Sequence, residues 1–219
     1  MLTIARYTTR RMTEIDIDQV VDIEQESFPT TWPRTAYKRE LTNQHASYLV
    51  LVDRAHELVN LAPPKPSGIR RLFQRQEPAA PATNDFIVGY VGLWFMIDEA
   101  HIVAIAVREA YRRRGLGELL LAEAIDLALA NRQECVTLEV RRTNLAAQAL
   151  YEKYRFLKVG VRRRYYSDNN EDAIIMTTPP IQHVSYTGYL AYLKTARERR
   201  WLEGDEAAGE QTEAGAEQR

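Results

Sequence analysis

The stretch Ile105–Leu121, IAVREAYRRRGLGELLL, restricts this chain more than any other part of it. The apolar run HIVAIAV reads as a strand that ends at the turn-like Arg108-Glu109-Ala110-Tyr111. Arg112-Arg113-Arg114-Gly115-Leu116-Gly117 comes next, and the chain is then free of Pro and Gly through Ala130, as an amphipathic helix would be. A strand, a basic glycine-bearing turn and a helix N-terminus in succession offer free backbone N–H groups to an anion. Gly115 and Gly117 lack Cβ, so the main chain there approaches a phosphate closely and tolerates φ > 0. Neither common nucleotide loop fits: GxxxxGK[ST] is absent, and Gly115-x-Gly117 lacks the third glycine of GxGxxG. Taken alone, such a turn is more often a plain tight connection between strand and helix.

The flanking chain supplies the rest of an α/β fold. Thr3–Arg10 alternates weakly as a first strand, and Asp16 with Gln19 forms a capping box ahead of a helix carrying Ile17, Val20, Val21, Ile23 and Phe28. Pro29 and Pro33 break that helix, and a second opens at Thr31 or Trp32. Ser47–Asp53 is a strand; Asp85–Ile97 and Ala100–Val107 form a hairpin. After helix Leu116–Asn131 come strand Cys135–Arg141, helix Asn144–Tyr154 and a hairpin of Arg155–Tyr166 with Asp172–Thr178. The order β-α-α-β-β-β-α-β-α-β-β predicts a mixed sheet with helices packed on it. Two stretches stand apart. Residues 54–84 hold five prolines with Lys65, Arg70, Arg71 and Arg75, and read as a disordered basic insertion at the end of the sheet where the 112–117 turn lies. Residues 181–219 read as a tail with a helix over Tyr186–Leu202 and a disordered acidic end.

Composition narrows the function classes. A formal net charge of −1 argues against a bulk nucleic-acid binder. The lone Cys135 excludes an internal disulfide and, with four histidines at no metal-ligand spacing, predicts no metal site. No apolar run reaches about 18 residues, so no membrane span is expected, and the N-terminus lacks signal-peptide order. A cytoplasmic protein is the expectation.

Two further segments match a known pattern. Leu138-Glu139-Val140-Arg141-Arg142-Thr143-Asn144-Leu145-Ala146-Ala147, with Ala149-Leu150-Tyr151-Glu152 and Phe156, resembles the LEVRxSNxAAxxLYExxGF signature of RimI-type ribosomal-protein-alanine N-acetyltransferases. Arg163-Arg164-Tyr165-Tyr166 and Glu171-Asp172-Ala173-Ile174-Ile175-Met176 are similar to their RxYY…EDA[IL]xM ending. The 112–117 turn matches [RQ]xxGx[GA], the pyrophosphate loop of GNAT acetyltransferases, and SFPxxW near Phe28 is similar to an early segment of the same proteins. The resemblance runs from about Thr3 to Pro180. It implies a GNAT fold over residues 1–180 and transfer of acetyl from acetyl-CoA to a protein N-terminus, that of a ribosomal protein. Thr143 stands for the usual Ser, Arg155 for the Gly before Phe156, and Asn131–Glu134 for a turn usually containing Gly.

The chemistry requires a base for the amine and a proton for the departing thiolate. Glu139, on the strand face of Thr137 and Arg141, is the base the resemblance implies, and burial is expected to raise its pKa. Residue pattern alone leaves it equally a solvated strand residue. Tyr151 is the implied acid, or else a core aromatic; Asn144 is the implied cofactor contact, an N-cap, or both. The backbone of Ile105, Ala106 and Val107 is expected along the pantetheine arm. Arg112, Arg113, Arg114, Gly115, Leu116, Gly117 and Glu118 are expected around the pyrophosphate. Phe28, Trp32, Tyr165 and Tyr166 are candidate walls of a peptide groove, and Glu171 and Asp172 either meet basic acceptor residues or are ordinary turn charges. Cys135 lies outside any catalytic group, which favours direct attack over an acyl-enzyme. Other protein N-termini, lysine and small amines remain alternative acceptors. A non-catalytic acetyl-CoA-binding module is the other class, disfavoured because binding needs neither Glu139 nor Tyr151.

Overall fold

A computed structural model describes residues 6–57 and 85–216. Seven strands and five helices follow one another as β1 (Tyr7–Arg11), α1 (Ile17–Ser27), α2 (Arg34–Thr42), β2 (Ala46–Glu57), β3 (Asp85–Phe95), β4 (Glu99–Val107), α3 (Leu116–Ala130), β5 (Cys135–Arg141), α4 (Leu145–Lys153), β6 (Leu157–Tyr166), β7 (Glu171–Thr177) and α5 (Val184–Ala216). They form one sheet in the order β1-β2-β3-β4-β5-β7-β6. Every pairing is antiparallel except β4 with β5. The expected order of elements is observed, and α5 stands where the helix over Tyr186–Leu202 was expected.

That parallel pairing shapes the molecule. It extends from Glu99 opposite Cys135 only to Ile102 opposite Leu138, although β4 runs on to Val107 and β5 to Arg141. On the other side of β4, Gly92 faces Ala104 and Leu93 faces Ile102, so Val103 is an extra, unopposed residue. A bulge bends and twists its strand. β4 therefore swings away from β5 just past Val103, and the sheet opens into a fork whose β4 side carries unpaired backbone groups.

Strand alternation feeds a core on each face. On β2, Tyr48, Val50 and Val52 join Ile17, Val20, Ile23 and Tyr37 under α1 and α2, while Leu49 and Leu51 join the larger cluster under α3. Leu119, Leu120, Leu121, Ala122, Ala124, Ile125 and Ala128 are all buried, more than one helix face supplies. A helix apolar on most sides must be covered on most sides. The second cover is α5, whose Tyr186, Leu190 and Leu193 belong to the same cluster. Each such side chain contributes roughly 1.5–3 kcal/mol of burial. Tyr186, Leu190 and Leu193 are thus part of the core, and the helix continues to Ala216, beyond Leu202.

Two local expectations need correcting. Asp16 does not cap α1: its carboxylate accepts from Arg10 at 2.7 and 2.8 Å and from the Thr13 N–H at 2.8 Å, so the box formed is Thr13 with Asp16. Gln19 reaches across instead, donating to the Asp85 carbonyl and accepting from the Ile87 N–H. A charged donor outbids the helix terminus for a carboxylate. Of the expected insertion, residues 54–57 extend β2; the remainder, 58–84, lies outside the described residues, as does the start of the first expected strand.

Candidate active site

Beyond the open end of the fork, β4 passes through a single 3-10 turn, Glu109–Tyr111, into the turn that precedes α3. Arg113 at φ 66° and Gly115 at φ 77° are both left-handed, the first an unusual state for a residue with a Cβ. Gly115 is the N-cap of α3, and the amides of the first α3 turn have no carbonyl one turn back to bond. A Cβ on Gly117 would meet only Leu150 Cδ2, at 3.8 Å. Arg112 donates to the Val107 and Glu26 carbonyls and to Ser27 Oγ; Arg114 donates to the Ala110 carbonyl and lies over the Tyr111 ring. Those two arginines brace the turn. Arg113, exposed as they are, makes no side-chain hydrogen bond or ion pair among the described residues.

Glu139 is the first β5 residue past the last β4–β5 pair, at the apex of the fork. Its side chain is 7% exposed; Oε2 lies 2.6 Å from His101 Nε2, and Oε1 forms an ion pair with Arg162 Nε at 3.0 Å. The expected upward pKa shift is reversed. The hydrogen bond from His101 outweighs burial and, with the charge of Arg162, holds the carboxyl below its ordinary value. Glu139 is therefore an ionised carboxylate at neutral pH, shared with an imidazole. His101 drew no attention as a sequence feature; the available signal was a polar ring in the otherwise apolar HIVAIAV strand, one pair short of the fork.

Around this pair stand aromatics. Tyr165 and Tyr166 meet edge to face with centroids 5.2 Å apart, Arg162 lies over Tyr165, and Arg141 lies 3.9 Å over Tyr166. Burial pushes the Tyr166 phenol up to about 12. Tyr151, on α4, is 6% exposed beside Phe156, and burial raises its pKa well above that of a free phenol. Asn144 caps α4, its Oδ1 accepting from the Ala147 N–H at 3.1 Å. On the opposite wall, the Trp32 N–H donates to Glu24, and the Trp32 ring, 37% exposed, packs beside Tyr37 and Trp94; Phe28 ends α1 and packs on the core beneath.

Glu171 and Asp172 are engaged as turn charges. Glu171 accepts from Thr143 N–H and Oγ1 at 2.8 and 2.6 Å and from Arg141 at 3.1 Å, tying the β5–α4 turn to β7. Asp172 accepts from the Arg164 N–H. Led by the Thr143 hydroxyl, these donors lower the Glu171 pKa from 4.5 to about 2. A depressed carboxyl stabilises the fold fully above its unfolded pKa and loses that contribution as pH falls through the folded one. Thermal melts should accordingly show the deficit of Glu171→Gln shrinking between about pH 4.5 and pH 2. A deficit independent of pH over that range would mean the charge of Glu171 contributes nothing.

The acetyltransferase (GNAT) family matches residues 17–156. A putative [ribosomal protein bS18]-alanine N-acetyltransferase of Bacillus subtilis is 34% identical over 172 residues, covering 78% of this chain and 94% of that protein. The N-alpha-acetyltransferase RimI of Mycobacterium tuberculosis is 34% identical over 171 residues, covering 77% of this chain and 90% of its own length. Among solved structures, the ribosomal-protein-S18-alanine N-acetyltransferase of Escherichia coli superposes with a TM-score of 0.61 at 26% identity, over 80% of this chain and 94% of that one.

Proposed function

Because this chain belongs to the GNAT acetyltransferase family, we propose that it transfers acetyl from acetyl-CoA to the N-terminal amine of a protein, the alanine of a small-subunit ribosomal protein. The observation that carries the reading is the fork: a gap between parallel strands, with a buried carboxylate–imidazole pair at its apex and a glycine-capped helix start beyond its mouth. The relatives named for alanine N-acetylation, alike over most of their length, support the acceptor.

In this reading the edge of β4 that faces away from β3 along Ile105, Ala106 and Val107, open past the last β4–β5 pair, bonds the amides of the pantetheine arm as a missing strand would. The amides from Gly115 to Glu118 and the guanidinium of Arg113 hold the pyrophosphate. The acceptor chain enters between Phe28 with Trp32 and Tyr165 with Tyr166. Its ammonium, of ordinary pKa about 7.7–8.0, loses a proton to the Glu139–His101 pair, either partner of which accepts it directly or through water. The neutral amine then attacks the thioester carbon and the C–N bond forms; as the C–S bond breaks, the nitrogen gives its second proton to water, and the sulfur leaves as thiolate, which takes a proton back from water. Arg162 is the exposed partner of Glu139 and gives way as the ammonium arrives.

Tyr151 donates a hydrogen bond to the departing sulfur. Its raised pKa makes full proton transfer unfavourable, so the phenol acts mainly by stabilising developing charge. Tyr151→Phe keeps the ring beside Phe156 and should lower kcat by about 10- to 100-fold, the worth of one hydrogen bond to a charged group, with acetyl-CoA affinity unchanged. Unchanged turnover with a lower melting temperature would leave Tyr151 a core aromatic. The activity itself is tested by incubating the protein with acetyl-CoA and a panel of N-terminal peptides, read by mass spectrometry. Acetylation confined to lysine side chains, or absent altogether, would overturn the reading.

A further inference from the structure

The family match ends at Phe156, yet α5, far beyond it, reaches the turn before α3. Trp201 Nε1 donates to the Arg114 carbonyl at 3.0 Å. Its indole also lies against Gly115: a Cβ there would sit 3.2 Å from Nε1 and 3.7 Å from Cε2. Tyr7 of β1, with its ring centroid 6.1 Å away, and the Arg197 guanidinium, 5.4 Å over the ring, hold the indole in place. Beside it, Arg200 pairs at 2.8 Å with Glu118 in the first turn of α3, whose other oxygen accepts from Lys153 and Tyr154. Nearly two turns earlier on α5, Lys194 pairs with Asp126 of α3.

The peptide bond between Arg114 and Gly115 is trans, so its C=O and N–H point in opposite directions. With the carbonyl fixed on Trp201, the Gly115 N–H is turned away from the indole. A turn that binds an anion must keep its carbonyls out of the site, and here α5 takes one of them. It also covers the side of Gly115 from which a collapse of this left-handed turn would begin. We propose that Trp201 is a positioning residue for acetyl-CoA, holding the pyrophosphate loop in its phosphate-accepting conformation before the co-substrate arrives. Order supplied in advance need not be supplied at binding, which tightens affinity. This inference rests on the reading of the loop given under Proposed function.

The test uses the full chain as wild type, Trp201→Phe and Trp201→Ala, titrated calorimetrically with CoA and with acetyl-CoA. Trp201→Phe keeps an aromatic ring over Gly115 and loses only the N–H. It should weaken both ligands by the same factor, about 3- to 10-fold. Trp201→Ala should weaken both further, with kcat and the peptide KM of either variant within about twofold of wild type. Should Trp201→Ala fail to fold, Trp201→Phe decides alone. A wild type that binds neither ligand would sink the loop reading itself. A wild type that binds both, with Trp201→Phe binding equally well at a lower melting temperature, would make α5 purely structural and overturn the role given to Trp201.

Discussion

Gly117→Val should raise the dissociation constant for acetyl-CoA by about 100-fold or more while the protein stays folded. Both halves follow from where Gly117 sits. It is the second residue of α3, in the first turn whose free amides are proposed to hold the pyrophosphate. A valine side chain meets little of the protein, since only Leu150 Cδ2 lies within 4 Å of a Cβ built there. Its branches therefore occupy the space the phosphates need. Each charge-assisted hydrogen bond from an amide to phosphate is worth about 1.5–3 kcal/mol, so displacing two accounts for the loss. Helix propensity does not oppose the change, because valine is somewhat better than glycine inside a helix. Calorimetry with CoA alongside a thermal melt separates binding from folding. Near-normal affinity in a folded variant would mean the phosphates bind elsewhere.

What the sequence made legible, and what it hid, divides along the range of the interactions involved. Strand β5 and helix α3 begin at the residues that periodicity and the glycines indicate, because alternation and helix starts are local properties. The loop was equally plain, its glycines and arginines being contiguous. Even the departures from the family pattern were informative: Arg155, standing where glycine is usual, and Arg132, within the Asn131–Glu134 turn that usually contains one, are left-handed at φ 62° and 58°. The backbone demand survived the loss of the residue that meets it most easily, and at Arg155 the guanidinium stacks 3.8 Å over Tyr189 of α5.

The hidden parts depend on partners far along the chain. Glu139 was visible as a carboxylate in a strand, but its depressed pKa comes from His101 and Arg162 on two other strands. Nothing near Asp16 announced that Arg10 would take it from the helix. The docking of α5 left one trace that was not used: Leu119, Leu120 and Leu121 in a row are more apolar surface than a helix on a sheet can hide on one side. An unpaid face of that kind is a sequence-level request for a second cover, and residues 184–203 are the segment that supplies it.

Glu139→Gln should lower turnover at pH 7 by about 10²–10⁴-fold, the usual worth of a general base. The amide preserves the side chain's volume, and its oxygen still accepts a hydrogen bond, so the fork persists. Loss of the carboxylate removes one proton acceptor of the pair and the charge that supports His101 as the other. The pH dependence distinguishes this from a loss of stability. In the folded wild type the Glu139 carboxyl lies below its ordinary 4.5, so the stability its charge provides is complete above that pH and declines only as pH falls further. Between pH 7 and 9.5 that contribution is constant and cannot alter the ratio of wild-type to variant rates. The acceptor amine does titrate there, with an ordinary pKa of about 7.7–8.0. As solution rather than enzyme removes the proton, the variant should recover and the ratio should narrow toward high pH. Profiles of kcat/KM against pH for both proteins, with an alanine-initiated peptide, measure it. A ratio that stays flat across that window, or equal rates at pH 7, would reduce Glu139 to a strut between β4 and β6.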